Sequence, residues 1–457
     1  MPSLSRRKLL KFGLAGAGTL FFPQASFAQA HANPADPHFF LFIVLNGGAD
    51  HSYMFDARPL ALTAAGRIQN YTGKEPSKWT GVNDGHTLIS PLMRPLRRYM
   101  DGFSVVNGVH MAPSFDGHQQ NLNFLFTGDP FGGGSFIPHL NLADTGSEPK
   151  TLDAILPTPP VVTNLDNHSG VIPLQAESVG DLAAFLKNTD APSAKSPLGE
   201  FMRSRMLAQK RDGGRMASAA NLVLASYDRA ARVRSQLSGL SVEASRGSEE
   251  EKAASLIAEC FHLSVSRSAI YVLPEQFDVH AANLARGQPG LFSTAVERIA
   301  ILFRALDNAP FDAHSSVLDV TTVMIASEFG RTMRAPYMPI DDTGTNHNQH
   351  CNSIIIGGKG VRGGMIIGAS DLQSADEEVS KAHLAVDPAL EKTLGLPFDF
   401  ARMRPRRDKP ESFEISDYLT IGSVVNTVYS AFNVPSRFYR RVASDGPAAP
   451  VLRALLS

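Results

Sequence analysis

The chain has 457 residues, 43% hydrophobic and 19% charged, with a formal net charge of −1. That composition belongs to a soluble globular protein and excludes collagen-like, coiled-coil and wholly disordered architectures. The slightly acidic balance argues against a nucleic-acid partner, which would favour a basic face, and two cysteines, Cys260 and Cys351, cannot form a disulfide framework.

The first thirty residues read as a leader. A basic stretch, SRRKLLK (5–11), precedes an apolar run, FGLAGAGTLFF (12–22), and small residues suited to cleavage, SFAQA (26–30). The apolar run is too short to span a bilayer, so no stable membrane anchor is expected. Arg6 and Arg7 ahead of Lys8-Leu9-Leu10-Lys11 resemble a twin-arginine signal, read by the export machinery that carries folded proteins; a general secretory signal is the alternative. The expected location is periplasmic or secreted. Loss of the four leader cations, Arg6, Arg7, Lys8 and Lys11, takes the net charge from −1 to −5.

From about residue 38 to 457 the pattern predicts one α/β domain, with strands and helices alternating. HFFLFIVL (38–45) is a continuous apolar run, as expected of a strand buried on both faces. FSVVNGVHM (103–111), SVLDVTTVMIAS (316–327) and NSIIIGG (352–358) read as further strands, with GGMIIG (363–368) a candidate to pair with the last. Val223, Tyr227, Ala230, Val233 and Leu237 recur at helical spacing. Ser248 and Glu251 form a capping-box pattern ahead of an apolar stripe of Ala253, Leu256, Ile257 and Cys260, which makes Cys260 a core residue. Val296, Ile299, Phe303 and Leu306 form a third stripe, ended by Pro310. The polar stretch 187–199 reads as a surface loop.

In α/β sheets ligands bind where strands end at their carboxyl edge. The first strand ends in NGGAD, giving Asp50 and His51; ASEFGRT gives Glu328 and Arg331; PEQFDVH gives Asp278 and His280; and DDTGTNHNQH gives Asp341, Asp342, His347 and His350. Each alone is weak, because an aspartate after a strand is commonly a turn or helix cap. Together they offer carboxylates and imidazoles, the ligand mixture for zinc, manganese or iron, with oxygen-rich subsites suiting magnesium or calcium. Two clusters would hold two ions, clamping the attacking and leaving oxygens of a phosphoryl or sulfuryl transfer. The Gly-rich DPFGGGSF (129–136) lacks a following Gly-Lys-Ser/Thr, and no Gly-x-Ser-x-Gly elbow occurs.

VLNGGADHS, FDVH, SEFGRT, GTNH and GGKGVRGGMIIG, in this order, resemble domain of unknown function family 1501, exported bacterial proteins with twin-arginine signals. That family is itself similar to the alkaline phosphatase and sulfatase superfamily of metal-dependent ester hydrolases. The resemblance implies a three-layer sandwich, with a large mostly parallel sheet between helices. It also implies one or two divalent ions (zinc, manganese, magnesium or calcium), held by Asp50, Asp278, His280, Glu328 and His347. Arg331 and His118 would engage the phosphate or sulfate group of a small anionic ester. Departures are Phe277 and Asn346, where the 1501 family has tryptophan and aspartate, Phe329, where the superfamily but not the 1501 family has histidine, and Gly117 where a nucleophilic serine is expected. A protein keeping the fold for binding or assembly, without turnover, is the alternative.

Overall fold

The computed structural model describes residues 37–61, 72–111, 117–128, 135–137, 139–140, 155–156, 174–175, 204–205, 207, 247–262, 266–332, 345–372, 393–406, 415–434 and 449–457. The leader, the stripe over 223–237, the loop over 187–199, Asp341 and Asp342 lie outside them.

One eight-stranded sheet organises the chain. Its strands are β1 (Phe39–Leu45), β2 (Phe103–Val109), β3 (Ile155–Leu156), β4 (Leu174–Gln175), β5 (Ser268–Val272), β6 (Thr321–Ser327), β7 (Asn352–Gly358) and β8 (Ile366–Gly368), in the spatial order β8-β2-β7-β6-β1-β5-β3-β4. Every residue of β1 is buried, as its unbroken apolar run requires of a central strand. It lies parallel to β5 and β6, with Phe40 opposite Ser268 and Phe39 opposite Thr321.

The sheet is mixed and partly parallel, with β7 the one reversed strand among the eight. β7 runs antiparallel to both β6 and β2, while β8 is parallel to β2. Residues 363–368 therefore do not pair with β7, whose two edges are already taken by β2 and β6. The strand expected from Ser316 begins at Thr321. A local turn holds the preceding residues, in which Asp319 Oδ2 accepts from Ser316 N at 2.8 Å and Ser316 Oγ accepts from Asp319 N at 3.1 Å.

The α-helices that flank the sheet are α1 (His118–Thr127), α2 (Glu249–His262), α3 (Ala282–Asn308) and α4 (Ile421–Ala431). The capping box of α2 forms: Ser248 N donates to Glu251 Oε2 (2.8 Å) and Glu251 N to Ser248 Oγ (3.3 Å). The side chains of β1 divide the core. Phe39, Leu41, Ile43 and Leu45 pack with Leu256, Ile257 and Cys260 of α2 and with Val296, Ile299, Phe303 and Leu306 of α3. Phe40, Phe42 and Val44 pack with Leu122 and Phe126 of α1 and with Val424 and Val428 of α4. Each of these large apolar side chains contributes roughly 1.5–3 kcal/mol by leaving water. Burial also pushes the Cys260 thiol up to about 12, so it behaves as a small core residue.

The topology places the site. β1, β5 and β6 all end at one edge of the sheet, and the reversed β7 begins there. The segments 46–50, 273–280, 328–331 and 345–351 therefore meet at that edge.

Candidate metal centre

β1 leaves the sheet through Gly47 and Gly48, at φ +103° and +74°. A Cβ on Gly47 would stand 2.6 Å from Asp278 N, and one on Gly48 2.1 Å from the Phe329 ring. Only glycine meets both the left-handed backbone and the close approach. The turn is thereby pressed against the 277–278 backbone, where Phe277 N also donates to Asn46 O at 3.0 Å.

Arg331 ties this turn to the segment after β5. Its side chain is 0% exposed. Nε donates to Gly48 O at 2.9 Å, and Nη2 to Gly47 O at 2.5 Å and to Asp278 Oδ1 at 2.6 Å. Nη1 lies 3.5 Å from His280 Nε2. The expected two-oxygen grip on an anion is thus not what this guanidinium offers, because two of its nitrogens are committed inside the protein.

Glu328, the residue after β6, has a side chain only 1% exposed. Its Oε1 accepts from Gly47 N (2.8 Å) and lies 2.9 Å from His118 Nδ1 at the start of α1. His347 is held by a two-residue antiparallel ladder opposite Arg331, with its N–H donated to Asn346 Oδ1 at 2.9 Å. Thr345 N and Thr332 N complete the frame, donating to Val279 O (3.1 Å) and Asn346 O (2.9 Å).

These supports bring four ligand atoms together. One each from His118, Asp278, His280 and His347 lie within 4.8 Å of one another. His280 Nε2 is 3.0 Å from His347 Nε2 and 3.0 Å from Asp278 Oδ1; His118 Nε2 is 3.4 Å from Asp278 Oδ1. Phe329 packs beneath two of the rings, with centroids 4.4 Å from His347 and 4.8 Å from His118. The side chains of Asp278 and His280 are 45% and 47% exposed, so the cluster opens to solvent on one side.

Electrostatics suit a cation. Burial alone would raise the Asp278 carboxyl, but the hydrogen bond and charge of Arg331, with His118 and His280, hold it below the usual range. Burial lowers His280, helped by the charges of Arg331 and His118, so its lone pair is available at neutral pH. For His118 burial also pulls down, yet Glu328 and Asp278 outweigh it and the ring sits above its ordinary value. His118 Nε2 is buried with no hydrogen-bond partner among the described residues. Three imidazole nitrogens, one of them the orphaned His118 Nε2, and one carboxylate oxygen fit a single divalent ion.

The five expected ligands thus become a group of four. Asp278, His280 and His347 belong to it, and His118 joins them. Asp50 and Glu328 stay outside. Asp50 is buried and its Oδ1 accepts from Ser52 N at 2.9 Å, capping the short 3-10 helix His51–Tyr53. Burial pushes its carboxyl up to about 6, against the opposing pull of Ser52, Arg331 and Arg58. Gly117 is the N-cap of α1 and brings no hydroxyl. Phe329, a wall of the cluster, carries no chemical signal in the sequence beyond its place beside Glu328. His350 is buried, and its ring centroid lies 5.8 Å from that of His110, away from the four.

A family model described as "Protein of unknown function (DUF1501)" matches residues 39–387. No curated protein matches the chain.

Proposed function

Since the chain belongs to the DUF1501 family, a group its own description leaves without a function, we propose from the site itself that it is an exported, metal-dependent hydrolase of phosphate or sulfate esters. In this reading the mixed sheet is that of an alkaline phosphatase-like three-layer sandwich, and residues 1–30 are a twin-arginine signal that delivers the folded protein to the periplasm or beyond.

The observation that carries it is the convergence of His118, Asp278, His280 and His347 within 4.8 Å at the carboxyl edge of the sheet. Three nitrogens and one oxygen favour zinc, or manganese or iron, over magnesium or calcium. A bound divalent ion supplies Lewis acidity and lowers the pKa of a coordinated water. The chain's own residues do the rest. Arg331 anchors Asp278 from below, and its Nη1 lies 3.5 Å from His280 Nε2. The half-exposed Asp278 and His280 leave a side through which a small ester reaches the site.

The mature protein is purified, its metal content measured, and its turnover of aryl phosphate and aryl sulfate followed with and without chelator. About one equivalent of metal and chelator-sensitive turnover are expected, both lost in H280A/H347A. A metal-free, inactive preparation that stays so after zinc or manganese is added rejects the reading.

Gly117 favours a second reading, in which the site binds a metal and an anion without turnover. α1 begins at His118, and its N-cap Gly117 brings no hydroxyl. Metal binding without ester turnover selects this second reading.

A further inference from the structure

We propose that Glu328 is a positioning residue: it stands behind His118 and fixes which ring nitrogen that histidine turns to the cluster, without ligating the ion itself. The inference rests on the metal-site reading above.

Both oxygens of Glu328 are engaged within the fold. Oε1 accepts from Gly47 N and faces His118 Nδ1, while Oε2 is 3.0 Å from the Ser327 hydroxyl. A carboxylate only accepts, so the hydrogen sits on His118 Nδ1. The opposite nitrogen, Nε2, is then the one that meets a cation. It is also the nitrogen that lies 3.4 Å from Asp278 Oδ1, buried and without a hydrogen-bond partner among the described residues. The carboxylate itself is not among the atoms within 4.8 Å of one another. A buried carboxylate behind a ligating imidazole sets its tautomer and its aim, and loss of such a partner costs about 10- to 100-fold in metal affinity.

Glu328 also links two strand ends. Its acceptance from Gly47 couples the turn after β1 to the residue after β6, so the histidine on α1 is aimed from the rigid middle of the sheet. The same position read as a direct ligand would require the side chain to leave both contacts.

Zinc affinity is measured by competition with a chelating chromophore for the mature wild-type chain, E328Q, H118A and E328Q/H118A. E328Q is expected to weaken zinc about tenfold or more in the otherwise wild-type chain. It should have no further effect once H118A is present, because its action passes through that ring. An equal loss in both backgrounds, or no loss in either, overturns the proposal while leaving the metal site standing. Absence of zinc binding by the wild-type chain overturns the metal-site reading and this inference with it. Should E328Q fail to fold, the histidine nitrogen-15 spectrum of the zinc-loaded wild-type protein decides. Hydrogen on His118 Nδ1 with Nε2 bound is the expected pattern, and the reverse arrangement overturns it.

Discussion

Arg331 shows how one side chain can serve a site from beneath it. It is fully buried and spends its donors on Gly47 O, Gly48 O and Asp278. Replacing it with methionine leaves two backbone carbonyls without donors, at about 1–3 kcal/mol for each buried acceptor left unmade. The pairing with the half-exposed Asp278 adds less, because water screens it. R331M is therefore expected to lose about 3 kcal/mol or more in urea unfolding; a variant as stable as the wild type contradicts this placement. At this scale the sequence was partly readable. Asp278 and His280, before the third helical stripe, and His347, after the Glu328 loop, stand out as neighbouring acids and imidazoles, although the strand β5 ahead of Asp278 is not among those expected from the sequence. Asp50 looks identical by that criterion, yet its carboxylate turns back to the amide of Ser52. Whether an aspartate after a strand faces outward or folds back onto its own chain is a torsion-angle choice that residue spacing does not encode.

Among the elements, those with strong local signals came out nearest to expectation. The reciprocal bonds of Ser248 and Glu251 begin α2 where the capping pattern put them. S248A removes the acceptor for Glu251 N and should cost about 1 kcal/mol in thermal or chemical denaturation. E251Q keeps an acceptor for Ser248 N and should cost less; the reverse order would contradict the cap. β1 is likewise legible as an unbroken apolar run, and β7 by its three consecutive isoleucines. The direction of β7 is not. An apolar run reads the same whichever way its neighbours point, and here the antiparallel pairing of His347 with Arg331 brings the chain back beside β6. The partner of β8 was hidden for the same reason, since a free edge is a property of the assembled sheet.

For the whole molecule, buried titratable groups set a pH response. Burial holds His51, His110 and His139 down to about 4, with Asn352 and Gly395 opposing it slightly at the first two. A histidine depressed in the fold contributes stability that is complete above its ordinary 6.5 and is lost as pH falls through about 4. Asp50, raised to about 6, and Asp56, also raised by burial, act the opposite way. Their contribution is complete below the ordinary 3.8 and is lost as pH rises through the folded values. Three histidines against two acids predict a net loss of stability between pH 7 and 4.5. H139Q removes one of the three, which lies beside Tyr429 and is not one of the four clustered residues. It should shrink the stability difference between those pH values by about 2–3 kcal/mol, at 1.36 kcal/mol per pKa unit. Urea titrations at both pH values check it, and an unchanged difference would show that His139 does not titrate as described.

The central place of β1 has a consequence for biosynthesis. Its two neighbours begin at residues 268 and 321, more than two hundred positions downstream. A ribosome must therefore release most of the polypeptide before FFLFIVL gains a partner on either side. Until then it is a seven-residue, uncharged, aromatic-rich ribbon with both edges bare, the kind of segment that self-associates. Such long-range closure is slow, so a nascent chain stalled before residue 268 should recruit chaperones through this segment.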